Sequence, residues 1–250
     1  MLNPAPAPFM PGFIKSIAKR PRIFAFIILV AQWLDLKRQT TIKKDYVIND
    51  EYYKKVQDYN ADVTLKKIVT TTRRAEELFQ VIVLPPRNIK DEKLLLIGPR
   101  NIQELIMAWV YGFTWKNIEA IDLYSTNQKI TVMNMEDMKF DDGLFDAVLM
   151  ANTFAYAKQP DRLLSEISRV IKPGGKLVFG ATFLREETEF YGNRIRGNEI
   201  KRILDKLPLD IYYYNPIDKI NASGNSQTIH LLGLVKNINN IDEKVDRIEL

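Results

Sequence analysis

The chain has 250 residues, 46% of them hydrophobic, with a formal net charge of +5, no cysteine and one histidine. A chain of this length and apolar content forms a buried core without help from disulfides or metals. Because cysteine is absent and His230 is the one histidine, disulfides, iron–sulfur clusters, thiolate chemistry and histidine-rich metal sites are excluded. We therefore expect no metal site, and acid–base chemistry falls to Asp, Glu, Lys or Tyr.

Residues 1–87 are predicted to form a basic N-terminal extension. Residues 1–90 contain 16 Lys and Arg against 8 Asp and Glu, whereas the remaining residues contain 20 against 23. The extension opens with a Pro-rich tail, which favours an extended chain. The apolar run Ile23 to Leu34 follows several basic residues, the order found in signal peptides, but it is shorter than the roughly 20 residues that a membrane span needs.

Three interpretations of the apolar run stay open. It packs on the folded domain, it packs on a second copy in a homodimer, or it contacts a membrane surface. After it, Glu51 to Tyr59 and Arg73 to Leu84 are predicted to be helical, and Pro85 and Pro86 end the second helix.

From Lys93 onward, apolar strands alternate with amphipathic helices, a pattern typical of a parallel α/β sheet. The first strand is a continuous apolar run, as expected for a strand that is buried on both faces. Between the second and third strands only residues 123–129 remain, fewer than a helical crossover needs, so we expect a helix to be missing there. The predicted strands are 93–97, 118–121, 130–133, 145–150, 176–181, 209–214 and 229–236, with helical periodicity over 102–110, 163–171 and 200–207.

The last two strands are joined by residues 215–228, which have no helical periodicity, so an antiparallel pair is predicted. The expected fold class is α/β, with a Rossmann-like doubly wound sheet that is mostly parallel and has an antiparallel last strand, plus the helical N-terminal extension. Residues 88–237 are predicted to form this domain, and residues 238–250 a C-terminal tail.

Two stretches carry a resemblance to a known family: FDDGLFDAVLMANTF, from Phe140 to Phe154, and LLSEISRVIKPGGKLVF, from Leu163 to Phe179. With the antiparallel ending, they resemble the S-adenosylmethionine-dependent methyltransferases of the Rossmann-like type. In that family the last strand lies beside the fifth, and a helix ends at Lys-Pro-Gly-Gly. We accordingly expect the helix after the fourth strand to end at Pro173-Gly174-Gly175.

The resemblance implies S-adenosylmethionine as cofactor and places its contacts at strand ends, where open α/β sheets bind ligands. Asp122 is implied to accept hydrogen bonds from the ribose hydroxyls, or it caps a turn. Asn134 takes the place of an aspartate that accepts from the adenine amino group, and the Met135 N–H donates to the ring. Alternatively, residues 134–137 form a solvated loop.

The glycine-rich loop after the first strand departs from the family pattern. Only Gly98 is kept, and Arg100 replaces the second glycine. Arg100 either binds the methionine carboxylate of the cofactor or fills a site that no longer binds it. Glu104 either meets the cofactor ammonium or pairs with Arg100. Asn152, after the fourth strand, completes the predicted cofactor-binding set.

Two residues are candidates for a catalytic base, Tyr156 after the fourth strand and Glu186 after the fifth. The expected function is methyl transfer from S-adenosylmethionine to a small polar metabolite, with a carbohydrate as the narrower suggestion, in the cytoplasm and without a nucleic-acid partner. The alternative is a catalytically silent binding module that acts through its basic extension. A nicotinamide-dependent oxidoreductase is disfavoured because the Gly-x-Gly-x-x-Gly fingerprint is missing.

Overall fold

The computed structural model describes residues 50–66, 73–99, 101–125, 127–151, 153–184, 197–220 and 226–237, and six helical residues between Ile23 and Leu34. The five described helices with defined bounds are α1 Glu51–Lys66, α2 Arg73–Ile82, α3 Ile102–Tyr111, α4 Pro160–Val170 and α5 Gly197–Leu204. The strands are β1 Leu94–Ile97, β2 Ile118–Asp122, β3 Ile130–Val132, β4 Phe145–Met150, β5 Ile171–Leu184, β6 Leu209–Ile220 and β7 Ser226–Lys236.

These strands form one seven-stranded sheet with the order β3-β2-β1-β4-β5-β7-β6. The pairs within β1 to β5 are parallel, and β7 runs antiparallel to both β5 and β6. The predicted Rossmann-like sheet with an antiparallel last strand beside the fifth is therefore confirmed. The order reverses at β1, so β1, β2 and β4 leave a crevice beyond their carboxyl ends, where such sheets bind ligands.

The sheet separates two apolar cores, because successive side chains of a strand point to opposite faces. In β1, Leu94 and Leu96 belong to one core, which also holds the apolar sides of α2 and α3. Leu95 and Ile97 belong to the other core, with α4 and α5. All four β1 side chains are buried, as a continuous apolar run predicts for a central strand.

The missing crossover helix is also confirmed. β2 and β3 pair in parallel although only residues 123–129 connect them. Tyr124 and Ser125 of this connection are buried. The Gln57 side chain of α1 donates a hydrogen bond to the Leu123 carbonyl oxygen at 2.5 Å. Part of the N-terminal extension therefore lies against this short connection.

The apolar run contacts the domain on one side. Ile27 packs against the core that contains α2 and α3. Helix α2 is itself part of this core, with Leu78, Phe79 and Ile82 fully buried. The division at residue 88 stays a prediction. Within the described residues, no helix is both long and apolar enough to cross a bilayer.

Several predicted boundaries differ from the structure, since β5, β6 and β7 are all longer than predicted and one helix end is wrong. The helix after β4 ends at Val170 instead of continuing to Pro173-Gly174-Gly175, and β5 begins at Ile171, which pairs with Phe145. Pairing with β4 thus places Ile171 in the sheet, and Gly175 packs so closely on it that a Cβ there would lie 2.6 Å from the Ile171 Cγ2 atom. The Pro-Gly-Gly segment thus turns the chain inside the strand and not at the helix end.

A single arginine at the end of α4 holds the loop between β3 and β4. The Arg169 guanidinium donates to both carboxylate oxygens of Glu166, to Asp142, and to the carbonyl oxygens of Phe140 and Met138, over distances of 2.7–2.9 Å. Its hydrogen bond to Glu166 lowers the pKa of that carboxyl group below the usual value. The loop leads from the pocket described below back into the sheet, so this network keeps it in place.

We expect Arg169→Ala to lower the free energy of unfolding by about 1.5 kcal/mol at neutral pH. This is the low end of the contribution of one hydrogen bond to a charged group, about 1.5 kcal/mol, because the Arg169 side chain is partly exposed to solvent. Urea denaturation measures this loss. A lowered carboxyl pKa contributes stability that is present above the usual value of 4.5 and is lost as pH falls through the folded-state value. The difference between wild type and Arg169→Ala should therefore shrink below about pH 4.

Arg162→Ala is the matched control for this prediction. Arg162 lies on the same helix, is largely exposed, and approaches Asp137 only to 3.7 Å. Its loss should change the free energy of unfolding by no more than about 0.5 kcal/mol. Equal losses in the two variants would contradict the role given to Arg169.

Candidate functional site

A pocket of about 290 Å³ lies at the carboxyl ends of β1, β2 and β4. Helix α1 and the start of α3 complete its wall. Six residues predicted as site residues line it: Gly98, Glu104, Asp122, Asn134, Met135 and Tyr156. The structure therefore brings these six together, whereas the other three predicted residues, Arg100, Asn152 and Glu186, lie outside the described residues. The individual roles of all nine stay predictions.

Gly98 follows β1 and has a φ of +70°, a backbone conformation that glycine tolerates best. Its N–H donates to the Ile121 carbonyl oxygen at 2.8 Å. The space where a Cβ would stand is filled by Thr153, whose Oγ1 would lie 1.9 Å from that atom. The Thr153 hydroxyl in turn lies 3.2 Å from the carbonyl oxygens of Ile97 and Gly98. Glycine is thus required here by the contact between the β1 and β4 ends.

Helix α3 begins at the edge of the pocket. Its first residue is preceded by Asn101, whose Oδ1 accepts a hydrogen bond from the Gln103 N–H at 2.9 Å and so caps the helix. Glu104 stands in the first turn and lines the pocket. The N-terminus of α3 carries partial positive charge, and the Glu104 carboxylate carries negative charge. Both belong to the same wall of the pocket. This wall suits a ligand that carries both a carboxylate and an ammonium group.

Asp122 is the last residue of β2 and is half-buried at the pocket. Its Oδ1 accepts the Leu123 N–H at 2.6 Å, so the side chain does cap the turn after the strand. A carboxylate has about four acceptor positions, and the Leu123 N–H takes one of them. The local cap and a role toward ligand hydroxyls are therefore compatible.

Asn134 and Met135 follow β3. The Asn134 Oδ1 accepts a hydrogen bond from the Glu136 N–H at 2.9 Å, which closes a turn in this loop. Met135 is buried, and both residues line the pocket. The side-chain oxygen that the family resemblance assigns to adenine is thus also used by the loop itself.

Tyr156 lies in a short 3-10 turn, Phe154–Tyr156, after β4. It is half-buried, lines the pocket, and its carbonyl oxygen accepts a hydrogen bond from the Tyr52 hydroxyl at 3.4 Å. Tyr156 is therefore the one candidate base that the structure places at the pocket.

Helix α1 forms a wall that the sequence analysis did not anticipate. Tyr53, Val56 and Asn60 line the pocket, and Asp50, just before the helix, forms an ion pair with Lys158. Burial and the nearby Glu136 carboxylate raise the pKa of Tyr53 far above its usual value, so its hydroxyl stays protonated. Tyr53, Val56 and Asn60 are three and four residues apart in the sequence, a spacing that places them on one face of a helix. This spacing is the sequence feature that could have predicted a shared role for them.

The charged groups among the described lining residues are acidic. Among the described residues that line the pocket, Glu104 and Asp122 are charged and none is a Lys or Arg. The remaining polar groups are phenols, amides and a hydroxyl. The two carboxylates favour ligand groups that donate hydrogen bonds or carry positive charge.

Comparison with known proteins agrees with this geometry. Residues 114–179, which run from just before β2 into β5, match the family model of a methyltransferase domain. This segment is similar to the methyltransferase family that the sequence resemblance predicted. The seven-stranded order with β7 between β5 and β6 is the fold expected from that resemblance.

Similar proteins include other methyltransferases. The chain is 29% identical over 82 residues to the glycine/sarcosine/dimethylglycine N-methyltransferase of Actinopolyspora halophila, which covers 33% of this chain and 13% of that protein. The chain spans less than half the length of the curated relatives it matches.

Two solved structures share the methyltransferase fold. A geranyl diphosphate C-methyltransferase from Streptomyces coelicolor has a TM-score of 0.53 at 18% identity, covering 65% of this chain and 78% of that one. A putative methyltransferase from Bacillus halodurans has a TM-score of 0.53 at 14% identity, covering 67% and 100%. At these identities the likeness concerns the fold.

The described residues of the pocket suit the groups that S-adenosylmethionine carries. The cofactor offers ribose hydroxyls, an ammonium group and a sulfonium, and the pocket lining includes the Asp122 and Glu104 carboxylates. Its carboxylate matches the capped start of α3. Two features limit the match to the family pattern: the loop keeps one glycine, and the Asn134 oxygen is engaged in a turn.

Proposed function

We propose that this chain transfers a methyl group from S-adenosylmethionine to a small polar acceptor. The observation that supports this most directly is the convergence of Asp122 and Glu104 with the start of α3 on one pocket at the switch point of the sheet. The cofactor supplies a methyl group on a sulfonium, which is a good leaving group. The chain's own task is to bind, orient and shield.

Each end of the cofactor has proposed partners. Asp122 accepts hydrogen bonds from the ribose hydroxyls, while keeping its bond to the Leu123 N–H. Asn134 and Met135 contact the adenine. Glu104 meets the ammonium group, and the start of α3, with Arg100, meets the carboxylate. These contacts fix the direction in which the reactive methyl group points, which is the main source of rate in such a displacement.

The acceptor is proposed to bind between α1 and the turn that carries Tyr156. Tyr53 stays protonated there because of its burial beside the Glu136 carboxylate, whereas Tyr156 is the candidate base. The phenol and amide groups on this side of the pocket, from Tyr53, Tyr156 and Asn60, support a polar acceptor. The name of the Actinopolyspora halophila relative, an N-methyltransferase of glycine and its methylated forms, agrees with this class. A carbohydrate, a homodimer and a cytoplasmic location remain predictions.

Ligand binding tests the proposal before any acceptor is known. A ligand that binds the folded state raises the unfolding temperature by mass action. We expect S-adenosylmethionine and S-adenosylhomocysteine to raise it in a concentration-dependent manner, and NAD to leave it unchanged. Stabilisation by NAD alone would contradict the assignment and favour an oxidoreductase.

Titration of Arg100→Ala separates an enzyme from a silent module. If Arg100 binds the cofactor carboxylate, the variant binds S-adenosylmethionine more weakly than wild type, which is the expected result. If Arg100 fills a site that has lost its ligand, wild type shows no binding at millimolar cofactor and the variant gains some. The second outcome would overturn the proposed activity and support the binding-module alternative.

A further inference from the structure

The helical residues between Ile23 and Leu34 present a large apolar face to solvent. Phe26 is 66% exposed, Trp33 46%, Leu34 41%, and Ile23 and Val30 are each 39% exposed. At about 100° per residue, these five side chains fall within roughly 100° of the helix circumference. Ile27, at the margin of this sector, is the residue that packs on the core. Of the six described residues of this segment, Ile27 is thus docked on the domain and the other five are exposed.

An exposed face of this kind is uncommon, because soluble domains rarely leave several large apolar side chains side by side at the surface. The other Trp residues show the contrast, since Trp109 is 6% and Trp115 8% exposed. The face therefore indicates an interaction surface, separate from the pocket and independent of the proposed methyl transfer.

The charge of the surrounding sequence selects the partner. Residues 1–49 contain eight Lys and Arg, at positions 15, 19, 20, 22, 37, 38, 43 and 44, against two acidic residues, Asp35 and Asp45. A second copy of the same segment would bring two strongly basic segments together, which is repulsive. Nucleic acid would complement the positive charge of these residues, but it offers no apolar phase for the aliphatic side chains and Trp33. An anionic lipid surface satisfies both.

The length of the apolar run decides how it meets the lipid. At about 1.5 Å per residue it is roughly 17 Å long, against about 30 Å for the hydrocarbon core of a bilayer. A helix of this length lies in the interface, with its apolar face among the acyl chains and its basic flanks at the headgroups. We propose that this segment binds the surface of anionic membranes through the exposed face formed by Ile23, Phe26, Val30, Trp33 and Leu34.

Vesicle binding by the full chain tests this proposal, with Trp33 as the probe. Phosphatidylcholine vesicles containing about one-third phosphatidylserine are compared with phosphatidylcholine alone. We expect the chain to sediment with the anionic vesicles on the order of tenfold more tightly, and added salt to weaken the binding. Trp33 emission should shift to shorter wavelength and become shielded from iodide, while Trp109 and Trp115 are buried already.

Variants locate the binding surface. Phe26→Glu combined with Val30→Glu keeps the Trp33 probe and should reduce binding at least about tenfold, since two charges enter the apolar face. Ile211→Glu, at a residue of β6 that is 55% exposed, is the control and should bind like wild type. Thermal unfolding verifies that each variant is folded. If the double variant does not fold, Lys19→Glu with Arg20→Glu takes its place and should abolish the preference for anionic vesicles.

Three results would overturn the proposal. The first is equal or no binding to the two vesicle types. The second is equal loss in the Ile211→Glu control. The third is a Trp33 emission that is already shifted without vesicles in a chain that elutes as a dimer, because a second copy would then cover the face.

Discussion

Gly98→Ala is expected to lower the free energy of unfolding by about 3 kcal/mol or more. Two costs add. The φ of +70° costs a residue with a Cβ about 1–2 kcal/mol, and overpacking a tight site costs a further 1–3 kcal/mol. The clash is severe because the new Cβ would stand 1.9 Å from the Thr153 Oγ1, in a side chain held by the carbonyl oxygens of Ile97 and Gly98. Denaturant unfolding measures the change.

Gly143→Ala is the matched control. Gly143 has a φ of +59°, but the nearest neighbouring atom to its Cβ position is the Lys172 Cα at 4.0 Å. It therefore carries the conformational cost of about 1–2 kcal/mol without the clash. In a second test, Thr153→Gly combined with Gly98→Ala should recover part of the loss, because the clashing side chain is gone. Equal losses for Gly98→Ala and Gly143→Ala, or no recovery in the double variant, would contradict the packing argument.

The sheet was predictable because its signals are local. The continuous apolar run of β1 predicts a strand buried on both faces, and the lack of helical periodicity over 215–228 predicts the antiparallel β6–β7 pair. The absent helix after β2 follows from simple chain length. Each of these inferences uses residues that are neighbours in sequence, so no knowledge of the folded contacts was needed.

The details of the site could not be predicted, because they depend on contacts between distant segments. That Gly98 must be glycine because of Thr153 requires β1 and β4 to be side by side. Likewise, the approach of α1 to the pocket depends on Gln57 reaching the connection after β2. The helix end at Val170 could not be predicted from the sequence, because it depends on the pairing of Ile171 with Phe145 of β4.

The family resemblance predicted where the pocket lies, but it did not predict the contacts that the lining residues make with each other. Asn134 lines the pocket as implied, yet its side-chain oxygen closes a turn with the Glu136 N–H. Gly98 also lines the pocket, but a Cβ is excluded there because the Thr153 side chain occupies that space. Position at a strand end therefore predicts proximity to a ligand, while the use of a side chain must be tested residue by residue.

Asp122 is the lining residue whose substitution best tests a proposed contact with the cofactor. Asp122→Ala is expected to weaken S-adenosylhomocysteine binding by about 1.5–3 kcal/mol, on the order of tenfold to a hundredfold in affinity, because hydrogen bonds to a charged acceptor are lost. Isothermal titration calorimetry measures the change. Asp141→Ala removes an exposed carboxylate outside the pocket lining and should bind the ligand like wild type.

The two possible roles of Asp122 are separated by Asp122→Asn. The amide keeps an Oδ1 that accepts the Leu123 N–H, so the cap at the end of β2 survives and the folded state should be as stable as wild type. It loses the negative charge and replaces one acceptor oxygen by a donor, so it cannot accept from both ribose hydroxyls as the carboxylate does. We expect Asp122→Asn to unfold like wild type and still bind S-adenosylhomocysteine at least about tenfold more weakly. Unchanged affinity in both folded variants would show that Asp122 only caps the strand, and would remove the ribose contact from the proposed function.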